Sequence, residues 1–526
     1  MPNFKPYDYN QTAMVVINFE EQLQPNTFEY TLHHLISNRL DLSAFHDKYK
    51  NEKGGRSAYD PAVLLKIILF AYSKGITSSR EIMWSCETNI IFKALSCDSV
   101  PHYTTIASFV SSYPDAIEAL FEQVLLVCYQ EGLLGNELFA VDGCKMPSNA
   151  AKEWSGTFKE LKQKREKIAK QLKHCIKEHK KCDRRRSDEK ERAKRLAQSI
   201  NTLDKAHDKI NQFLKTESPR QGQGKQQKEV KSNITDNESC KVKTNKGVIQ
   251  GYNGVAAVDK KHQVIIDAQA FGEGQEYHTL KPVLESISDR YQRIGISDDI
   301  YGDDVIVTAD TGFSNEENNR YLMEEKINSY IPDNQFRSRD PRYKHQKDKY
   351  GKRHQDTKVG VKDVIPSSEF TFNLKKKSCI CPAGNALSLR DEKNVSGAKV
   401  KLCFEGKLSD CRHCALKQQC MRNPTSADHR KGNGRQVSKT FTVKPTATDW
   451  MKKRVDSAYG KQVYSHRMSV VEPVFGNIGT NKGLNRFSLR SKAKVQGQWR
   501  LFCMVHNIEK VMRYGEMEQE RAKKAA

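Results

Sequence analysis

The sequence predicts an α/β protein with a mixed sheet, an all-helical N-terminal region and two insertions of unusual composition. Three observations carry this reading. Between residues 251 and 334 the apolar pattern runs strand, strand, helix, strand, helix, strand, after an earlier isolated strand, ELFAVD (137–142). Residues 59–130 read as helical, in several short helices. Two stretches, 158–214 and 379–420, shift towards Lys and Arg and towards Cys respectively.

The 526 residues are 37% hydrophobic and 29% charged, which suits a folded chain of several domains. A net charge of +24 implies a polyanionic partner, nucleic acid first. A basic ribosome-associated factor would show the same balance. The N-terminus has no basic segment followed by an apolar stretch of about 7–15 residues, so no signal peptide is expected. No run of about 18 apolar residues occurs, so no membrane span is expected either. A cytoplasmic, nucleoid-associated protein follows from these readings.

In the N-terminal region, YDPAVLLKIILFAYSKGI (59–76) opens on Asp60 as a cap and Pro61 at the first helical position, and Gly75 is a plausible stop. TSSREIMWSCETNIIFKAL (77–95) reads as the next helix, with Ser79 capping. HYTTIASFVSSY (102–113) follows Pro101. Short helices joined by tight turns suit a helix-turn-helix-like DNA reader, and equally a bundle used for dimerisation.

Residues 158–198 hold 17 Lys or Arg against 7 Asp or Glu. Apolar residues recur at Leu161, Ile168 and Leu172, and again at Leu196, Ile200, Leu203, Ile210 and Leu214, which fits two helices of a hairpin. Its tip would be Asp183 to Asp188. A solvated spacer and an arm lying along a DNA backbone both fit this composition. A polar linker (217–229) closes the segment.

Two segments then share one design. ELFAVDGCK sets apolar residues before Asp142 and Gly143 after it; VIVTADTGF sets them before Asp310, with Gly312 close behind. A buried strand ending in Asp, followed by a Gly-containing turn, brings a carboxylate to the rim of a sheet. Two rim carboxylates repel unless a cation lies between them, and a hard divalent ion, Mg2+ or Mn2+, suits oxygen donors. A third carboxylate, Glu472, sits among Val471, Val474, Phe475 and Ile478 at helical spacing, with Pro473 suiting a first turn. Basic and amide residues follow: Asn477, Asn481, Lys482, Asn485, Arg486, Arg490, Lys492 and Lys494. Three carboxylates around two ions about 4 Å apart form the constellation for in-line phosphodiester chemistry. The sequence has no P-loop.

Six cysteines, Cys379, Cys381, Cys403, Cys411, Cys414 and Cys420, fall within 42 residues. Cys411-x-x-Cys414 has the spacing that presents two thiolates to one tetrahedral ion, and Cys381 and Cys420 would complete a structural four-thiolate Zn2+ site. Cys379 and Cys403 remain alternatives, and reduced buried cysteine needs no metal at all.

The segments YDPAVLLKIILFAYSKGITSSREI, VPHYTTIASF, FAVDGCKMPSNA, QGYNGVAAVDKKHQVIIDA, VTADTGFSN, VEPVFGNIGTNKGLNRFSLR and VHNIEKV resemble insertion-sequence transposases of the DDE class, most closely the family numbered eleven eighty-two. The resemblance implies an RNase H-like catalytic core. Its carboxylates would be Asp142 on the first strand, Asp310 after the fourth and Glu472 on a late helix, all three as Mg2+ ligands. Tyr464, Arg467 and Lys482 match the Tyr, Arg and Lys that accompany the Glu in related enzymes, at a spacing that departs from the commonest version, and Asn481 stands beside them as a phosphate contact. The cysteine-rich stretch corresponds to a zinc-ribbon-like insertion. The implied organisation is an N-terminal helical DNA-binding or dimerisation domain (1–133), core segments (134–157 and 233–334) separated by the basic hairpin and linker (158–232), the cysteine-rich insertion (335–445) and a C-terminal core part with the Glu helix and a basic tail (446–526). The implied partners are double-stranded DNA, as element terminal inverted repeats and as target, and a second copy in a homodimer. The rival readings are a catalytically inactive DNA-binding derivative and a two-metal nuclease without strand transfer.

Overall fold

The structure, a computed structural model, describes residues 17–49, 54, 57–182, 190–222, 227–244, 247–343, 364–396 and 398–515. The expected hairpin tip at 183–188 and the basic tail beyond 515 lie outside the described residues. The chain forms two compact units, the first comprising 1–313, 325–331 and 462–526, the second 314–324 and 332–461.

The first unit opens with helices α1 (Phe28–Asn38), α2 (Pro61–Ser73), α3 (Ser79–Thr88), α4 (Ile90–Ser96), α5 (Tyr103–Ser112) and α6 (Pro114–Gln130). Asp60 caps α2 as its sequence requires, accepting from the Ala62 N–H. The single helix expected over 77–95 is two. Asn89 ends α3 in extended backbone and caps α4, its side chain accepting from the N–H groups of Ile91 and Phe92 at 2.9 and 3.3 Å.

Next come β1 (Leu138–Pro147), the long helices α7 (Phe158–Cys182) and α8 (Lys190–Thr216), then β2 (Cys240–Thr244), β3 (Gly247–Asp259) and β4 (Ile265–Phe271). Helix α9 (Leu280–Arg293), β5 (Ile306–Ala309), β6 (Ser329–Tyr330), α10 (Ala458–Gly476) and α11 (Lys492–Tyr514) complete the unit's main elements. The sheet runs β6-β5-β1-β3, and β3 carries β2 along its first half and β4 along its second. Strand β3 is antiparallel to both β1 and β4, while β5 and β6 run parallel to β1, so the sheet is mixed as expected.

Helix α11 explains why the N-terminal helices share a unit with the sheet. It packs on β4 and also on α6 and α2. On the sheet side the Trp499 indole donates to the Val255 carbonyl at 3.0 Å, and the Asn507 amide pairs with both backbone groups of Ile265. On the helical side Phe502 stacks on Tyr72 with ring centroids 4.3 Å apart. Every residue of α11 from Gly497 to Ile508 is buried, Gln498, Arg500, His506 and Asn507 included. Ion pairs tie the same layers together: the buried Arg290 of α9 meets Asp267 of β4 and Glu118 of α6, and Glu118 also pairs with Arg500.

The two long helices pack on each other as the heptad-like spacing predicts, and their base is closed by Phe158, Leu161, Ile168, Ile210, Phe213 and Ile234. The second unit holds a five-stranded antiparallel meander (Thr371–Asn373, Ser378–Ile380, Ala386–Ser396, Lys399–Lys407, Asn433–Thr442) around Phe370, Cys379, Leu387, Leu402, Phe404 and Val437. Within that unit the Glu316 carboxylate accepts from the N–H groups of Ala447 and Thr448, at the start of helix Ala447–Asp456.

Candidate active site

Asp142 does not end its strand. β1 continues through Gly143 to Pro147, still paired with β3. What exposes Asp142 is the end of the other neighbour: β5 stops at Ala309, opposite Val141, so the next residues along the two parallel strands are Asp142 and Asp310. Gly143 is required by packing and not by a turn, since a Cβ there would lie 2.8 Å from the Asn253 side chain. Gly312 likewise leaves room for the Glu276 carboxylate, which pairs with Lys145 at 3.0 Å. Glu276 is an acidic neighbour that no local sequence signal marks.

Arg467, on the buried face of α10, joins the two aspartates. Its guanidinium lies 2.8 Å from an Asp142 oxygen and 3.8 Å from an Asp310 oxygen. The Tyr464 hydroxyl stands 3.5 Å from the same Asp310 oxygen, at the outer limit of a hydrogen bond. Burial pushes the Asp142 carboxyl above its ordinary range; the Arg467 charge and the Gly143 N–H, which donates at 2.8 Å, oppose this, and the Asp310 charge adds to it. Arg467 is thus the cation that lets two carboxylates stand side by side.

Glu472 is on the same helix but not in this cluster. It lies five residues beyond Arg467, about 140° round the helix axis, and is exposed. Pro473 is inside the helix, contrary to the first-turn expectation. A proline there cannot donate to the Ser469 carbonyl one turn back. The Gln263 side-chain amide donates to that carbonyl instead, at 3.0 Å.

Gln263 belongs to a buried polar network behind α10. Its carbonyl accepts from His506 Nε2 at 2.9 Å, which makes Nε2 the protonated nitrogen and leaves Nδ1 to accept from Asn477 Nδ2 at 3.0 Å. Asn477 also donates to Glu509, and Glu509 pairs with Lys482. Lys482 is only 1% exposed. Its expected place on a phosphate track is therefore corrected: the ammonium is turned inward, spent on Glu509. Asn481 is exposed and donates to Asn477 at 2.9 Å, and Asn485, Arg486, Arg490, Lys492 and Lys494 also face outward.

This network yields a pH prediction. Burial lowers the His506 pKa to about 4, and a second ring proton would face the Asn477 amide donor. The depressed value means that stability is complete above the unfolded pKa of about 6.5 and declines as pH falls towards 4, by at most about 3 kcal/mol. Urea unfolding at pH 7 and pH 4.5 checks this. His506→Gln should remove part of that pH dependence, and an unchanged dependence would assign the loss to other groups.

In the second unit, Cys381, Cys411, Cys414 and Cys420 line one small cavity of about 30 Å3. Backbone N–H groups point at two of the sulfurs, Asn385 at Cys381 Sγ (3.3 Å) and Arg435 at Cys411 Sγ (3.4 Å). Gly434 makes room for Cys411, since a Cβ would come within 2.6 Å of its sulfur. Burial pushes the Cys420 thiol up; Arg435 opposes this, and the charges of Cys411, Cys414 and Cys381 reinforce it. Cys379 packs into the meander core and Cys403 lies on its fourth strand, both away from the cavity lining. Among the described residues no group of three or more His, Cys, Asp or Glu side chains stands where it could hold a metal ion as placed. The two aspartates and the four thiols are gathered, but neither set is drawn in to coordination distance.

Residues 17–112 match a transposase domain, DUF772, and residues 380–512 match a transposase DDE domain. Together these matches support an insertion-sequence DDE transposase. The DDE match takes in the four cavity cysteines, Tyr464, Arg467 and Glu472, and leaves Asp142 and Asp310 to be read from the sheet. No curated protein matches the chain. No helix among the described residues is long and apolar enough to cross a membrane.

Proposed function

We propose that the protein binds the terminal inverted repeats of its own insertion sequence, cleaves the element ends and joins their 3′-hydroxyls to target DNA, with Asp142, Asp310 and Glu472 as the catalytic carboxylates. The observation that carries this reading is the pairing of Asp142 and Asp310 where β1 and β5 part company, held by Arg467. The strand order β4-β3-β1-β5-β6, with β3 antiparallel to both β4 and β1 and the last two parallel to β1, supports an RNase H-like core.

The donor chemistry fits Mg2+ or Mn2+, which use one or two carboxylates and fill their remaining positions with water and phosphate oxygens. Asp142 and Asp310 would hold such an ion, and Glu472 would join a second once α10 or its side chain turns towards the pair. When bound, these ions supply Lewis-acid activation of the attacking hydroxyl and neutralise charge on the leaving oxygen. The chain's own groups set the stage. Arg467 offsets the charge of the two aspartates and keeps them aligned, Tyr464 limits the swing of Asp310, and the outward Arg486, Arg490, Lys492 and Lys494 suit a phosphate backbone. The four-thiol cavity suits a structural Zn2+, because it gathers four sulfurs on one small space, with backbone N–H groups pointing at two of them. Helices α3 to α5 suit recognition of the element ends, and synapsis of two ends calls for at least a homodimer.

The test is to incubate the protein with labelled element ends, Mg2+ and a target plasmid. End cleavage followed by joined product supports transposition. Cleavage without joining would reduce the reading to a two-metal nuclease, and specific binding without cleavage to a DNA-binding derivative.

A further inference from the structure

We infer that the outer face of α7 is a phosphate rail for duplex DNA, and that α8, its partner in the hairpin, is not. The inference rests on the DNA-acting reading above. Helix α7 carries 10 Lys or Arg against 3 Glu, a net of +7, whereas α8 carries 7 against 3, a net of +4.

The arrangement matters more than the totals. At about 100° per residue, Lys159, Lys162, Lys170, Lys173, Lys177 and Lys180 fall within an arc of about 80°. All six are exposed, and Glu166 alone interrupts them. On the opposite side of the helix, Leu161 and Ile168 are buried in the hairpin base, with Leu172 partly covered beyond them. The exposed lysines thus lie opposite the packed residues of α7, while Lys164 and Arg165 sit on the packed side, engaged with Trp154 and Asn211. On α8, by contrast, Glu191, Asp204 and Asp208 are interspersed among Lys194, Arg195, Lys205 and Lys209. That surface is mixed, as an ordinary solvated face is.

Three features select duplex DNA as the occupant. From Lys159 to Lys180 the rail is about 32 Å long, close to one turn of the double helix at about 34 Å. It contains no aromatic residue on which unpaired bases would stack, which disfavours single strands. Phe158, Leu161 and Ile168 of α7 are packed in the hairpin base and Ile176 is its one exposed large apolar side chain, so no continuous hydrophobic face is left to enter a bilayer, as an interfacial membrane helix requires. Lysines, as flexible point charges, suit contacts that follow phosphates without reading sequence.

The experiment compares two full-length variants in salt titrations on random duplex DNA. The first replaces Lys162, Lys170, Lys173, Lys177 and Lys180 with Gln; the second replaces Lys194, Arg195, Lys205 and Lys209 with Gln. All nine positions are exposed, and circular dichroism checks that both proteins fold. Each phosphate that the protein no longer neutralises flattens the slope of log affinity against log salt by about 0.9, so the α7 variant should lose about 4 and bind at least about tenfold more weakly at low salt. The α8 variant should lose less than about 1. An unchanged slope for α7, or equal flattening in both, would overturn the inference. Binding is read without cleavage, so the two proposals fail separately: a protein that cleaves ends with an unchanged α7 slope sinks only the rail, and one with the expected slopes but no cleavage sinks only the catalytic reading.

Discussion

Asp142→Asn and Asp310→Asn are each expected to reduce cleavage of element ends at least about 1,000-fold, equivalent to about 4 kcal/mol of transition-state stabilisation. Asn keeps the shape and one oxygen but removes the charge that a divalent ion needs. Arg467 loses one of two anionic partners in either variant and keeps the other, so the fold should survive. Binding to the ends should stay within a few-fold, because neither carboxylate is a DNA contact. Glu472→Gln divides the question further. An equal loss of cleavage would mean that the exposed Glu472 turns towards the aspartates during the reaction; normal cleavage would remove it from the catalytic set. Asp142→Asn cleaving within tenfold of the unaltered protein would end the assignment of the sheet-edge pair.

The second large effect is expected in the second unit. Purified protein never exposed to chelator should contain about one zinc per chain, and Cys411→Ser or Cys414→Ser should release it. Structural zinc contributes about 10–16 kcal/mol in small metal-folded peptides, more than the stability of most domains, so the meander should become protease-sensitive without it. Cys403→Ser is the control, since Cys403 lies outside the cavity lining and its loss should leave the zinc in place. Zinc well below one per chain in unaltered protein would sink this proposal. The cavity would then hold four reduced thiols and no ion.

What the sequence made legible was local. Asp60-Pro61 announces α2 because a cap and a ring act on the next turn alone. Cys411-x-x-Cys414 announces a turn with two sulfurs; Cys381 and Cys420, read with them in the sequence, line the same cavity, and Cys379 and Cys403 do not. What the sequence hid was set by distant partners. Nothing near Asp142 says that β1 continues past it; the aspartate is uncovered because a strand more than 160 residues later stops at Ala309. Pro473 argues against a helix interior until Gln263, 206 residues before Ser469, is seen to serve the Ser469 carbonyl that the proline leaves open. Lys482 reads as one more cation in a basic run, and only Glu509 across the turn shows that it is buried. The Asn89 break was missed for another reason: no Gly or Pro marks the stop, and one asparagine both ends a helix and caps the next.

Helix α11 carries one more consequence, for how the molecule is made. Its partners on one side come from the first 130 residues and on the other from β3 and β4, yet it begins only at Lys492. At about 5–20 residues per second, the preceding 491 residues take on the order of 25–100 s to synthesise. Throughout that time the apolar faces of α2, α6 and β4 lack their common neighbour. The first unit therefore closes after translation of nearly the whole sequence, and a nascent chain interrupted before Lys492 presents sticky, unfinished surfaces to chaperones and proteases. An intact reading frame through α11 is thus a condition for a closed first unit, so element copies with late frameshifts should yield protein that is degraded rather than inhibitory fragments that compete for DNA ends.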